Sequence, residues 1–379
     1  MTDRIGTLRD TFLRFGFDGV VVNPGASLRW LTGLAFHLME RPVLLYFGKT
    51  GKAHIILPEL ELAKLEGLEG ELEIHPFGDD PATWQSVFAA ALAFAQDGLR
   101  IGVEPTGLRF LELDLLQKAL PTATFVDASP VFANLRMEKD EHELAKMRKA
   151  AVIAEAALLE TLRTIRVGQT EKEIASELVI QLYRHGSDTE LPFAPIVSSG
   201  SNSANPHASP SERRLHSGDV LLFDWGAGFE GYFSDITRCF FVDFVDERMI
   251  DAAETVQRSN HYAVAAVRPG MTTGEVDAIA RQEIEESGFG NYFTHRTGHG
   301  LGMEAHEAPY IFSGNQLVLK KGMVFTIEPG IYLPGLGGIR IEDNVVVTED
   351  GFNCLTTLPR EVKTIERYLE LMDFFGGLV

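Results

Sequence analysis

Cysteine is scarce: Cys239 and Cys354 are the two in 379 residues, too few for a disulfide framework and too far apart for a paired thiolate zinc site. Both are expected as small core residues. Positive charge is also in deficit, with 34 Lys and Arg against 54 Asp and Glu. The resulting net charge of -20 argues against a nucleic-acid backbone or an anionic membrane surface as partner. No run reaches the roughly 18 apolar residues of a membrane span, and MTDRIGTLRDTFLRFGFDGVVV has no apolar stretch followed by a small-residue cleavage site. The expectation is a cytoplasmic globular protein. Two further absences matter for chemistry. The Gly-rich stretch around His299 lacks the lysine of a phosphate-binding loop, and nothing resembling a nucleophile elbow surrounds Ser198-Ser-Gly-Ser201.

What is present supports two domains. A chain of 379 residues exceeds what one growing core accommodates, and 45% hydrophobic residues suffice for two. Arg4 to Phe15 has the periodicity of an amphipathic helix, and Asp18 to Val22 that of a buried strand ended by Asn23-Pro24-Gly25. Strand-like runs at Val43 to Phe47, Ala53 to Leu57, Leu99 to Val103 and Thr124 to Asp127, with a helical run at Trp84 to Phe94, predict a small α/β domain over residues 1–134. A long charge-laced helical pattern from Lys139 to Ile165 then falls at the start of a second domain, residues 135–379.

The second domain carries an internal echo. Ile165-Arg-Val-Gly-Gln-Thr-Glu-Lys-Glu-Ile174 matches Val267-Arg-Pro-Gly-Met-Thr-Thr-Gly-Glu-Val276 at an offset of 102. In each copy a Thr precedes a Glu by three residues, the arrangement that satisfies free amides at a helix start. Downstream, Gly218-Asp-Val-Leu-Leu-Phe-Asp224 parallels Gly322-Met-Val-Phe-Thr-Ile-Glu328, each an apolar strand that delivers a carboxylate six residues after Gly. Two related halves, each presenting a strand-borne acid, imply a pseudo-twofold site.

Asp235 lies eleven residues beyond Asp224, and Glu342 fourteen beyond Glu328, both across Gly-rich turns that read as hairpins. Four carboxylates converging in an apolar setting repel one another and take up protons unless cations compensate them. His299, inside His295-Arg-Thr-Gly-His-Gly-Leu-Gly302, supplies one imidazole, and its flanking glycines permit close backbone approach. One nitrogen among many oxygens suits manganese, cobalt, iron or zinc.

Five segments, Leu222-Phe-Asp-Trp-Gly226, Ser234-Asp-Ile-Thr-Arg238, Thr297-Gly-His-Gly-Leu-Gly302, Thr326-Ile-Glu-Pro-Gly330 and Ile339-Arg-Ile-Glu342, together resemble the motifs of the pita-bread metallopeptidases. The resemblance implies an α/β pita-bread catalytic domain with pseudo-twofold halves, behind a smaller creatinase-like N-terminal α/β domain. That pairing marks the Xaa-Pro dipeptidase and Xaa-Pro aminopeptidase branch. It further implies that Asp224, Asp235, His299, Glu328 and Glu342 hold two divalent ions, with Asp235 and Glu342 bridging. An intact set separates the chain from the family's non-catalytic relatives, and an ectoine-hydrolase-like amide hydrolase is a more remote alternative. His207, in Asn205-Pro-His-Ala-Ser209, and His306, in Glu304-Ala-His-Glu307, match substrate-contacting positions, and Arg340 matches an arginine beside the bridging acids.

The implied reaction is hydrolysis of a peptide with proline at the second position, with Glu328 as proton shuttle and His207 or His306 on the oxyanion. A homodimer is the implied assembly. Tyr310 stands where some prolidases carry the arginine that binds the dipeptide carboxylate, which leaves Arg41, Arg213 and Arg214 as loop candidates for that task.

Overall fold

The computed structural model describes residues 2–67 and 72–376. The chain divides into two compact units, Met1–Arg136 and Met137–Val379.

In the first unit six strands form one mixed sheet in the spatial order Leu72–Phe77, Ala53–Pro58, Leu44–Gly48, Gly19–Val22, Arg100–Val103, Thr124–Asp127. Side-chain alternation explains why both faces are covered. Val20, Val22, Leu45, Phe47, Ile55 and Leu57 point to one side, where they meet Leu8 and Phe12 of the helix Thr2–Arg14 and Phe132 of Ser129–Arg136. Val21, Leu44, Ile56 and Ile101 point to the other, against Trp84 and Phe88 of Pro81–Ala91 and Leu115 and Leu116 of Phe110–Ala119. The helix expected from Trp84 starts earlier, because Asp80 accepts from the Ala82 amide and Pro81 occupies the first turn, where its missing N–H costs nothing.

The second unit shows the echo in three dimensions. The helices Glu171–Arg184 and Thr273–Glu286 each open with a reciprocal cap, Thr170 with Glu173 and Thr272 with Glu275. The turns before them bond identically: Gly168 N–H donates to Leu215 O and Gly270 N–H to Leu319 O, and Leu215 N–H donates to Gln169 O as Leu319 N–H does to Met271 O. Each short helix packs on a long one, Glu141–Thr164 in the first half and Glu247–Ala266 in the second.

Each half also contributes a sheet. One has the order Lys363–Thr364, Ile236–Phe241, Val220–Trp225, Ile196–Ser199; the other has Glu307–Ile311, Gly298–Gly300, Val324–Ile327, Asp343–Val347, Phe352–Cys354. Among the described residues an antiparallel bridge, Thr237 opposite Glu342, links them. The expected hairpins are composite. Val220–Trp225 pairs with Ile236–Phe241 around a smaller hairpin of Gly228–Phe229 and Tyr232–Phe233, and Val324–Ile327 pairs with Asp343–Val347 around Gly330–Leu333 and Gly337–Arg340. Cys239 is buried as expected, whereas Cys354 is half-buried; both are free thiols.

Candidate metal centre

The ends of these strand pairs place the acids. Asp224 sits one residue before the end of Val220–Trp225, and Asp235 immediately precedes Ile236–Phe241. Glu328 immediately follows Val324–Ile327, and Glu342 immediately precedes Asp343–Val347. Both pairs of acids therefore emerge at the same end of their strands, and the Thr237–Glu342 bridge brings the two ends together. His299 sits mid-strand in Gly298–Gly300. Its glycine neighbours are sterically required: a Cβ on Gly298 would fall 1.9 Å from Thr326 O, and one on Gly300 would fall 2.3 Å from Ala308 O.

Three groupings result, each with ligand atoms within 4.8 Å of one another: Asp224, Asp235 and Glu342; His299, Glu328 and Glu342; Asp235, His299 and His306. Asp235, His299 and Glu342 are buried, and Asp224 and Glu328 are half-buried. His299 Nε2 lies 3.4 Å from Glu328 Oε1 and 3.7 Å from Asp235 Oδ2. His299 Nδ1 lies 3.1 Å from Gly300 O. A carbonyl only accepts, so Nδ1 carries the proton and the Nε2 lone pair faces the acids.

The electrostatics are those of buried acids packed closely together. Burial, then Glu342 and Asp224, push Asp235 well above the ordinary carboxylate range. Burial, then Glu328 and Asp224, do the same to Glu342. Burial raises Glu328 to about 7 against the opposing pull of Arg340. Burial, then His306, drive His299 down to about 3, so its imidazole is neutral and able to ligate.

Among the described residues, Asp224 Oδ1 and Asp235 Oδ1 are buried with no hydrogen-bond partner. Unpartnered carboxylate oxygens are costly unless a cation meets them. Together with the imidazole lone pair they form a hard-oxygen, single-nitrogen donor set that fits divalent metal ions.

A shell of polar groups fixes these ligand candidates. Thr237 Oγ1 donates to Glu342 Oε2 at 2.6 Å and accepts from Arg340 Nε at 3.1 Å. Arg340, itself buried, also donates to Asp224 Oδ2 at 2.5 Å and to Tyr332 Oη at 2.8 Å. Tyr332 Oη lies 2.8 Å from His295 Nε2, and His295 Nδ1 lies 2.7 Å from Arg296 O. The imidazole of His295 therefore donates through Nδ1 and accepts the tyrosine proton at Nε2. Burial, then Arg340, hold His295 down at about 4, which keeps it neutral in that role.

Asn344 brackets Asp235: its Oδ1 accepts from the Asp235 amide at 3.0 Å, and its side-chain amide donates to Asp235 O. Asn260 Nδ2 donates to Ile327 O and Ile341 O, the residues just before Glu328 and Glu342. Beneath Arg340, the Cys239 thiol donates to Arg340 O at 3.3 Å, and burial raises it to about 12.

Tyr332, Asn260 and Asn344 carry no motif-level cue. Asn260 does leave one trace, a polar residue on the stripe of Val256 and Val264, otherwise the buried face of Glu247–Ala266.

A cavity of about 590 Å³ opens on the cluster. His207, His306, Glu328 and Arg340 line it together with the other acids, and Pro192, Phe193, Ala194 and Ile196 form an apolar wall. His207 and His306 are exposed, and the His306 ring stands edge-on to His299 with centroids 4.0 Å apart. Burial of its inner edge, then Arg296, lower His306. The strand after His306 is anchored by a buried ion pair, Lys139 Nζ to Glu307 Oε1 at 2.6 Å.

The three arginines considered for carboxylate binding each have a partner within their own unit. Arg213 pairs with Asp219, Arg214 donates to Gly168 O, and Arg41 pairs with Asp79.

Residues 145–349 match the metallopeptidase family M24, and residues 4–138 match the creatinase/prolidase N-terminal domain. The chain belongs to metallopeptidase family M24. As a member of that family it is a hydrolase dependent on divalent metal ions, consistent with the donor set above. The peptidase is 35% identical over 353 residues to a Xaa-Pro dipeptidase of Lactobacillus delbrueckii subsp. lactis, covering 92% of this chain and 95% of the relative. It superposes on a dipeptidase of Pyrococcus horikoshii OT3 with TM-score 0.89 at 38% identity, covering 95% and 99% of the two chains. A prolidase of Thermococcus sibiricus gives TM-score 0.89 at 36% identity, covering 95% and 98%. The pita-bread and creatinase-like architecture expected from the sequence is the one found.

Proposed function

We propose that the chain is a Xaa-Pro dipeptidase in which Asp224, Asp235, His299, Glu328 and Glu342 would hold two divalent cations. The observation that carries this reading is the pair of unpartnered buried oxygens, on Asp224 and Asp235, in a cluster of four acids facing the His299 lone pair. The relatives named above supply the substrate class, and the apolar wall of Pro192, Phe193 and Ile196 offers a surface against which a rigid proline ring packs. Residues 135–379 perform the chemistry in this reading, and residues 1–134 form the creatinase-like domain.

Bound cations supply Lewis acidity, lowering the pKa of water and polarising the scissile carbonyl. The chain's own groups do the rest. Glu328 takes the proton released as water attacks and returns it to the leaving proline nitrogen. His306 or His207, donors at the cavity mouth, hydrogen-bond the oxyanion as it develops, a contribution of about 3 kcal/mol for a well-placed donor. Arg340 holds Asp224 in place and balances part of the acidic charge. Manganese, cobalt and zinc all suit the donor set, and we assign the enzyme to the cytoplasm as a homodimer, on the free thiols and on the family likeness respectively.

The test is turnover by protein reconstituted with each metal and offered Ala-Pro, a longer Xaa-Pro peptide and a non-proline dipeptide. Cleavage of Ala-Pro in preference to both others is expected. Cleavage of the longer peptide without Ala-Pro would make the chain an aminopeptidase instead.

A further inference from the structure

We infer that Glu171, a fully buried carboxylate outside the cavity lining, is a positioning residue for the proposed reaction: it fixes the segment 199–211 and thereby sets His207 at the cavity. The inference rests on the peptidase reading above and names what holds one of its two histidines.

His207 needs such a hold. Its imidazole makes no hydrogen bond among the described residues, so the ring stands where its backbone puts it, and that backbone N–H donates to Asn205 Oδ1 at 3.1 Å. The chain leaves the strand Ile196–Ser199, makes a tight 3-10 turn over Gly200–Ala204, and carries Pro206 and His207 along the cavity before it reaches Ser211.

Glu171 grips this segment at both ends. Its Oε1 accepts from the Ser199 amide at 2.6 Å and the Ser199 hydroxyl at 2.9 Å. Its Oε2 accepts from Asn202 Nδ2 at 2.8 Å, the Ser211 amide at 3.0 Å and the Ser211 hydroxyl at 2.6 Å. The middle of the segment meets the strand that carries Arg340. Ser203 Oγ accepts from the Gly338 amide at 2.8 Å, and a Cβ on Gly338 would fall 2.1 Å from Ser203 O. Pro206 O, one residue before His207, accepts from Arg340 Nη1 at 3.4 Å.

The donor set demands a carboxylate. Each oxygen takes a backbone amide, which cannot reverse its role, so a glutamine would turn its NH2 against an N–H in either orientation. Placement in the first turn of Glu171–Arg184 favours the negative charge.

The internal repeat shows that the fold itself does without this group. Thr273 is its counterpart at the offset of 102. The backbone stitching is the same in both halves: the Glu171 amide donates to Arg213 O and the Thr273 amide to Leu317 O, as Lys172 does to Ser211 O and Gly274 to Asn315 O. Yet Thr273 Oγ1 is buried with no partner among the described residues. The bonds that close the short helix onto the returning chain are therefore common to both halves, and the carboxylate hub is an addition in the half that carries His207.

The experiment is a double-mutant cycle on full-length, metal-reconstituted protein with Ala-Pro as substrate. Glu171→Gln should lower kcat roughly 10–100-fold with metal content unchanged, because a displaced donor misses the developing charge. In a His207→Ala background the same substitution should change kcat by less than about 3-fold, since the group it positions is gone. A purely structural defect would cost the same factor in both backgrounds. A second readout is independent of turnover. In zinc-loaded protein isotopically labelled at histidine, the His207 ring resonance, assigned by its loss in His207→Ala, should shift or broaden in Glu171→Gln while that of His306 holds.

A loss that does not shrink in the His207→Ala background, full activity in Glu171→Gln, or an unmoved His207 resonance would overturn the inference. Should Glu171→Gln not fold, Asn202→Ala and Ser211→Ala, each removing one bond to the carboxylate, answer by the same cycle. Wild-type protein that leaves Ala-Pro intact defeats the dipeptidase reading alone, and the cycle then runs on the longer Xaa-Pro peptide or the non-proline dipeptide, whichever is cleaved. Protein that cleaves none of the three overturns both readings.

Discussion

Thr237 faces Glu342 across the bridge that joins the two sheets, and its hydroxyl is shared between the Glu342 carboxylate and the Arg340 guanidinium. One hydroxyl thus orients Glu342 directly and Asp224 through Arg340, without touching the substrate cavity. Thr237→Val preserves shape and removes that hydroxyl. We expect a loss of about 1–3 kcal/mol in stability and a metal affinity lowered by roughly 10–100-fold, measured by competition with a calibrated chelator. Unchanged affinity would show that Glu342 needs no such support.

Asn260 acts at longer range, tying together the carbonyls of Ile327 and Ile341 just behind Glu328 and Glu342. Asn260→Leu strands both buried carbonyls, so a Tm several degrees lower is expected, with kcat reduced more than KM is raised. A variant as stable and as active as the parent would place the two acids under other control.

His306 lies close enough to Asp235 and His299 to be counted with either metal or substrate. We expect His306→Ala to retain the wild-type metal content by elemental analysis while kcat falls roughly 100-fold, as for removal of an oxyanion donor. Loss of one metal equivalent would reassign His306 as a ligand.

The cluster also sets how stability responds to acid. In cation-free protein, burial raises Asp235, Glu328 and Glu342 in the folded state, Glu328 to about 7. Unfolded carboxyls titrate near 4. Between those values the folded chain holds more protons than the unfolded one, so stability falls as pH rises through that window. Asp343 has the opposite sign: its burial is outweighed by Arg238 and Arg360, and its contribution is lost only below the ordinary carboxylate value. Chelator-treated protein should therefore melt higher at about pH 5.5 than at about pH 7.5, and metal-loaded protein the reverse, because protons compete for the ligands. Scanning fluorimetry at both pH values, with and without cation, reads this directly.

Much of this was legible in the residue order because it is written locally or by repetition. The Thr170/Glu173 and Thr272/Glu275 caps depend on a spacing of three, and the Asp224/Glu328 correspondence follows from repeated strands. The composite hairpins were harder, since Gly-rich segments such as Gly226 to Gly231 are compatible with a plain turn as well as with a second small hairpin. Tyr332, Asn260 and Asn344 escape sequence reasoning for another reason. Their partners lie on strands brought alongside only by the fold, so no spacing announces them. Arg296, whose guanidinium carbon lies 4.7 Å from the Tyr310 ring centroid, belongs to the same class, because only the fold brings the residues before Gly298–Gly300 beside Glu307–Ile311.

Cys239 gives this architecture a silent monitor. Its thiol is sealed beneath Arg340 and held far above the pH at which thiols ordinarily ionise, so alkylating reagents meet it only when Ile236–Phe241 and Gly337–Arg340 separate. The half-buried Cys354 is the natural internal reference on the same chain. Relative labelling of the two sulfurs therefore tracks breathing of the scaffold under the catalytic acids, in a protein that needs no probe engineered into it.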